Sequence, residues 1–196
     1  MEDELDFSLD PEAEALVREG ASLVTQSAGE RVLDELRRLS AGGYERLAEL
    51  GLLEPLGGSL SPRLREFDSP EYRLAITFGV RLRGLPISNE LRRFTDTLLR
   101  AQVPADDSPR AIHRFRRATE PWALEALAYL GAGEHADAVR VAREHEPARP
   151  LLRGDELGVP EGPEVGRLLE LVAEERAAGT ISTKEEALEL VRKSVG

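Results

Sequence analysis

Apolar side chains recur at the i, i+3, i+4 spacing of a helix face through most of this chain, and capping residues mark where the runs begin. Asp10-Pro11 opens a first helix, with Ala13, Leu16 and Val17 on its apolar face and Gly20 near its end. Ser27 and Glu30 make the Ser-x-x-Glu pattern of a capping box. The helix behind it carries Val32, Leu33, Leu36 and Leu39 on one face, with Arg31, Asp34, Glu35, Arg37 and Arg38 elsewhere. Ser69-Pro70 starts a helix with Tyr72, Ala75, Ile76 and Val80. Ser88 caps another with Leu91, Phe94, Leu98 and Leu99, and Ser108-Pro109 starts a third with Ile112 and Phe115. Alanine-rich helices follow over 119–130 and 134–145, and a second capping box, Ser182 with Glu185, opens a last helix over 182–193. No segment alternates β-branched residues between turn signals, so the pattern predicts an all-α chain of short helices with no sheet. Gly57-Gly58-Ser59 and the stretch 146–150 are the predicted joints.

The most specific stretch is 151–172, LLRGDELGVPEGPEVGRLLELV. Arg153-Gly154-Asp155 reads as a turn in which Asp155 caps a short helical turn, and Gly158 ends it by taking positive φ. Pro160 and Gly162 break the chain again, and Pro163 stands at a first helical position, where its missing N–H costs nothing. Val165, Leu168, Leu169 and Val172 then share one helix face. Gly166 on that helix predicts close approach of another backbone.

This stretch resembles the tail of the class II CCA-adding enzymes and bacterial poly(A) polymerases, where a leucine-rich run leads to G-D-L, a short gap and G-P-x-[IV]-G before a helix. The matching residues are Leu152, Gly154, Asp155, Leu157, Gly162, Pro163, Glu164, Val165 and Gly166. A second segment is similar to the S-x-E-R-[IV]-x-x-E-L segment joining neck to body in that family, through Ser27, Gly29, Glu30, Arg31, Val32, Glu35 and Leu36. The residues from Tyr44 to Leu50 with Gly51-Leu52-Leu53 resemble the family's next helix. The resemblance implies a neck/body helical region over 1–146 and a smaller helical tail over 147–196. It gives Ser27, Glu30, Arg31 and Glu35 a bracing role without chemistry.

Charge changes the picture. The chain has 196 residues and a formal net charge of −11, which excludes a protein coated in basic surface for nucleic acid. The charge is segregated, since 71–120 holds 10 arginines against 6 acidic residues. Within it Arg110, Arg114 and Arg117 fall on one helix face at i, i+4, i+7, beside His113 and Arg116. Such a face either tracks a phosphate backbone or is a solvated face balanced by acidic neighbours. Cysteine is absent, which removes disulfides, thiolate metal sites and a cysteine nucleophile. No apolar run is long enough for a membrane span, and the acidic N-terminus lacks a secretory core segment, so a cytoplasmic location is expected.

Catalytic groups are hard to find. The paired aspartates with which the family's nucleotidyltransferase head holds two metal ions have no counterpart. Asp106-Asp107 is an adjacent pair in a helix-start loop. Glu2-Asp3 is followed by no arginine at the spacing of the family's nucleotide-reading signature. Arg73-Leu74-Ala75 resembles the run before the His-Asp hydrolase dyad of many relatives, but Gly79 and Val80 stand at the dyad positions. His113, His135 and His145 lack the spacing of a helix-borne zinc site.

The resulting expectation is a non-catalytic, tRNA-binding body and tail region of a CCA-adding or poly(A) polymerase type nucleotidyltransferase. Its RNA contacts are assigned to Arg110, Arg114, Arg117 and Arg153. Its structural motif residues are Ser27, Glu30, Arg31, Glu35, Gly154, Asp155, Gly162, Pro163 and Gly166. The chain itself has no cofactor. Mg²⁺ and nucleoside triphosphates would belong to a catalytic head, separate or fused, and no membrane is a partner. The alternative is an acidic all-α adaptor for protein partners that keeps the fold without RNA binding. If the arginines of 110–117 and Arg153 converge on one concave surface, the RNA reading gains, and if they scatter, the adaptor does.

Overall fold

The structure is a computed structural model that describes residues 9–26 and 29–195. The Ser27 end of the first capping box and the segment 1–8 lie outside the described residues. The described residues form ten α-helices joined by turns and 3₁₀ segments, with no strand among them. Two compact units divide the chain, Met1–Arg100 and Ala101–Gly196.

The first unit holds α1 (Pro11–Glu19), α2 (Gly29–Arg38), α3 (Ala41–Glu49), α4 (Pro70–Phe78) and α5 (Asn89–Arg100). Three 3₁₀ segments, Ala21–Gln26, Leu64–Glu66 and Gly79–Gly84, supplement them. The predicted starts are in place. Asp10 Oδ1 accepts from the N–H groups of Glu12 and Ala13 at 3.0 and 2.9 Å, and Ser69 and Ser88 each accept from a first-turn N–H. Leu33 and Leu36 of α2 are buried with Tyr44, Leu74 and Phe78. The Tyr44 hydroxyl donates to the Leu36 carbonyl at 3.0 Å. Burial pushes that phenol far above its usual pKa, against the opposing charge of Arg73, so it stays a donor. Gly58 is packed rather than hinged, because a Cβ there would meet Leu53 Cδ1 at 2.8 Å and Phe78 Cε1 at 3.0 Å.

Two apolar expectations fail here. The α4 helix stops at Phe78, where Gly79 takes φ 51°, so Val80 leaves the helix face and is 65% exposed. Leu16 on α1 is 64% exposed, and α1 buries none of its residues.

The second unit holds α6 (Pro109–Thr119), α7 (Ala123–Leu130), α8 (Ala136–Glu144), α9 (Pro163–Ala177) and α10 (Lys184–Val195). Ile112 and Phe115 of α6 are buried, as are Leu127 of α7 and Val139 of α8. Leu152, Leu157, Leu168, Val172, Ala187 and Val191 form one apolar cluster that joins the 151–157 turn to α9 and α10. Pro163 is the first residue of α9, and Gly158 takes φ 70°, as its sequence context predicts.

The details of this turn differ from expectation. Glu156, not Asp155, caps the 3₁₀ segment Gly154–Glu156 by accepting from the Arg153 N–H at 2.8 Å. A carboxylate one bond longer reaches back three residues, as in a capping box. Glu156 also pairs with Lys184, tying the turn to α10. Close approach occurs at Gly154, where a Cβ would meet Val165 Cγ1 at 3.1 Å, while nothing lies within 4 Å of a Cβ at Gly166. The cap of α10 is Thr183 with Glu186, one residue later than the predicted Ser182 with Glu185. In this register one Glu186 oxygen accepts from both the Ser182 and Thr183 N–H groups.

Candidate nucleic-acid interface

The face of α6 that carries Arg110, His113, Arg114 and Arg117 is directed at α9 of the same unit. There Glu170, Glu174 and Glu175 stand at the i, i+4, i+5 positions facing it. Arg114 meets Glu174 through two nitrogens at 3.0 and 2.6 Å. Arg110 reaches Glu175 at 2.7 Å and Glu174 at 3.6 Å. Arg117 Nε lies 2.9 Å from Glu170, and His113 Nε2 lies 3.2 Å from the same carboxylate. Hydrogen bonds from Arg114 hold the Glu174 carboxyl below its usual pKa, with the charges of Arg110 and His113 adding to them and burial opposing. The two helices are thus laced by ion pairs, and each arginine assigned to phosphate on this face already has a carboxylate.

Arg116, on the other side of α6, is a brace. Its side chain is 11% exposed and spans Glu120, Glu146 and the Ala142 carbonyl. Glu120 in turn accepts two bonds from Arg143 at 2.9 and 2.7 Å. Burial raises the Glu120 pKa, and the hydrogen bonds from Arg143 and Arg116 outweigh it, so the carboxyl is held below its usual range.

Beside this lacing the second unit has a cleft of about 940 Å³ between α6, α8, α9 and the segment 145–153. Its floor is apolar, built from Ile112, Val141, Leu151, Leu169 and Val172. Five arginines line it, Arg116, Arg117, Arg149, Arg153 and Arg176, against three carboxylates, Asp107, Glu146 and Glu170. Arg176 donates to the Arg149 carbonyl at 2.6 Å. Among the described residues, the guanidinium groups of Arg149, Arg153 and Arg176 have no carboxylate within salt-bridge distance. Two of the four predicted RNA-contact residues, Arg117 and Arg153, therefore share one concave surface, and Arg110 and Arg114 do not line it. Sequence reasoning missed Arg149 and Arg176. They flank the 151–172 stretch on both sides, the one sign by which they could have been found.

The motif residues of α2 expected to brace the neck lie at the surface. Glu30 and Arg31 are exposed on α2, and Glu35 pairs loosely with Arg38 at 3.6 Å. Gly166 lines the cleft. Asp106 and Asp107 diverge, the first accepting from the Ser108 N–H at 2.8 Å and the second facing His135 at 2.7 Å. His145 holds the Val141 carbonyl at 2.8 Å. Among the described residues no group of three or more His, Cys, Asp or Glu side chains could hold a metal ion. Nor is any described helix long and apolar enough to cross a membrane.

A family described as "Probable RNA and SrmB- binding site of polymerase A" matches residues 6–62. Over 101 residues, half of this chain, the sequence is 42% identical to a CC-adding tRNA nucleotidyltransferase of Thermus thermophilus. This chain is related to the C-terminal region of the CCA-adding and poly(A) polymerase family. It spans 21% of the length of that curated relative. The CCA-adding enzyme of Thermotoga maritima, solved in complex with tRNA, shares the fold over all of this chain and 59% of its own, with a TM-score of 0.60 at 16% identity. Of the motif residues over 29–36 only Leu36 is buried here, while those over 152–166 form the turn and the start of α9, and the cleft lies against this second set.

Proposed function

We propose that this chain is the tRNA-binding body and tail region of a tRNA nucleotidyltransferase of this family, of CCA-adding or poly(A) polymerase type, working in the cytoplasm. The observation that carries the reading is the match of residues 6–62 to a family described as RNA-binding. The cleft of the second unit supplies a place for the phosphate backbone. Among the described residues Arg149, Arg153 and Arg176 line it with no carboxylate within salt-bridge distance, with Arg117 beside them. The chain does no chemistry by itself. Metal and nucleoside triphosphates belong to a nucleotidyltransferase head, a reading supported by the described carboxylates being spread over turns and ion pairs. Titration of the full chain with a folded tRNA at low salt tests the reading. Binding that weakens steeply with salt, and that falls at least tenfold in an R149Q/R153Q/R176Q variant, is the expected result. A well-folded wild-type chain that leaves tRNA unbound would overturn it.

The second reading, an acidic adaptor that keeps the fold without RNA binding, is favoured by one observation. The arginine face of α6 is neutralised by α9. The same titration separates the two.

A further inference from the structure

A different set of arginines, in the first unit, stands outside every ion pair among the described residues. Arg92, Arg93 and Arg100 are exposed on α5. At 3.6 residues per turn they fall with Asp96 inside an arc of about 100°, opposite the buried Leu91, Phe94, Thr95 and Leu98. Among the described residues none of the three guanidinium groups has a carboxylate within salt-bridge distance. The one acidic side chain in the arc, Asp96, is already taken by Arg83 of the neighbouring 3₁₀ segment, whose Nη2 and Nε lie 2.5 and 3.2 Å from its Oδ1. The stripe therefore presents four guanidinium groups and one neutralised carboxylate.

This arrangement is not what a stabilising surface would select. The first unit has 13 basic and 19 acidic residues, so carboxylate partners are in surplus. Most of its other surface arginines have one, among them Arg18, Arg38, Arg46, Arg63 and Arg65. At i, i+1 and i+8 of one helix these like charges gain nothing from one another. Their placement is useful only to an external anion. From Arg92 to Arg100 the helix rises about 12 Å, the axial length of roughly three to four phosphates along one strand of a duplex. No aromatic side chain lies in the arc, so it offers nothing for base stacking.

We infer that this stripe is a second RNA surface, which tracks the phosphate backbone of a structured RNA without reading its bases and is distinct from the cleft of the second unit. The inference rests on the RNA-binding reading above and adds to it a surface that neither the sequence motifs nor the cleft points to.

The test uses the full chain and a folded tRNA, with affinity measured between about 50 and 200 mM salt. An R92Q/R93Q/R100Q variant should lower the slope of log affinity against log salt by about 2 to 3, roughly one unit per lost phosphate contact. An R92K/R93K/R100K variant, which keeps the point charges, should keep the wild-type slope. Wild-type binding with the same slope in the glutamine variant would overturn the stripe and leave the RNA reading standing. Absence of wild-type binding would overturn both. If the triple glutamine variant melts below the wild type, the single substitutions carry the test. Each should then remove about one unit of slope, and no change in any of the three would overturn the inference.

Discussion

Two helices of similar composition, α5 and α6, use their arginines in opposite ways. In α6 the arginines at 110, 114 and 117 each find a carboxylate on α9, and Arg116 is built into a network with Glu120, Glu146 and Arg143. In α5 the arginines at 92, 93 and 100 find none among the described residues. The difference does not lie in the helices themselves, since both are amphipathic and both carry their cations on the polar side. It lies in what packs next to them. The acidic face of α9 lies along α6, whereas α5 meets a 3₁₀ segment that contributes Arg83 and takes up the one aspartate of the arc. An arginine run in a sequence thus says that a helix face is basic, and only the neighbouring element says whether that charge is left for a ligand.

The sharpest way to break this contrast is to remove one arginine from each side. Arg116→Ala should destabilise the second unit by about 2–3 kcal/mol, because it strips hydrogen bonds to charged groups from a side chain only 11% exposed. Urea denaturation followed by the fluorescence of Trp122, the single tryptophan of the chain, reads this out in that unit. Next in size is a change in binding. Glu170→Gln with Glu174→Gln should free Arg114 and Arg117, while Arg110 keeps Glu175, and raise tRNA affinity at low salt by roughly tenfold. An unchanged or weaker affinity would mean that these arginines stay directed at α9 whatever its charge.

A smaller effect is expected from pH. Seven described carboxylates of the second unit are held below their usual pKa, Asp106, Glu120, Glu156, Glu164, Glu174, Glu186 and Glu189. In the first unit Glu45 is held so, by its hydrogen bond from Arg65. A carboxylate with a depressed folded pKa contributes stability above its unfolded pKa and loses it as pH falls through the folded value. The second unit should therefore weaken first as pH drops below about 4.5, the ordinary glutamate value. Trp122 fluorescence should change before far-ultraviolet circular dichroism has lost the helices of the first unit. The smallest effect belongs to α5. Arg93→Gln should shift stability by less than about 0.5 kcal/mol, as for a surface substitution that breaks no contact.

Much of the secondary structure was legible because capping and periodicity are local. Asp10, Ser69, Ser88 and Ser108 all accept from first-turn N–H groups, and Pro163 begins α9. What was misread turned on reach or on neighbours. The caps at Glu156 and Glu186 depend on which carboxylate can bend back to a free N–H, and at the first of them the shorter Asp155 is bypassed. Gly166 read as a close-approach site, but close packing falls on Gly154 because Val165 leans over the turn. Of the candidate site, Arg117 and Arg153 were placed on the cleft. Arg149 and Arg176 escaped because they meet only when 149 and α9 are folded together.

By itself, then, the order of residues determined the helical character of the chain, most of its helix starts, the glycine-and-proline geometry of 151–163 and the basic character of 71–120. Those are properties of neighbours within a few positions, where hydrogen bonds and backbone sterics act. Which basic residues remain available was decided by tertiary structure alone. A charge is neutralised or left open by groups up to 60 residues away, as Glu174 is from Arg114, and no local pattern records that distance.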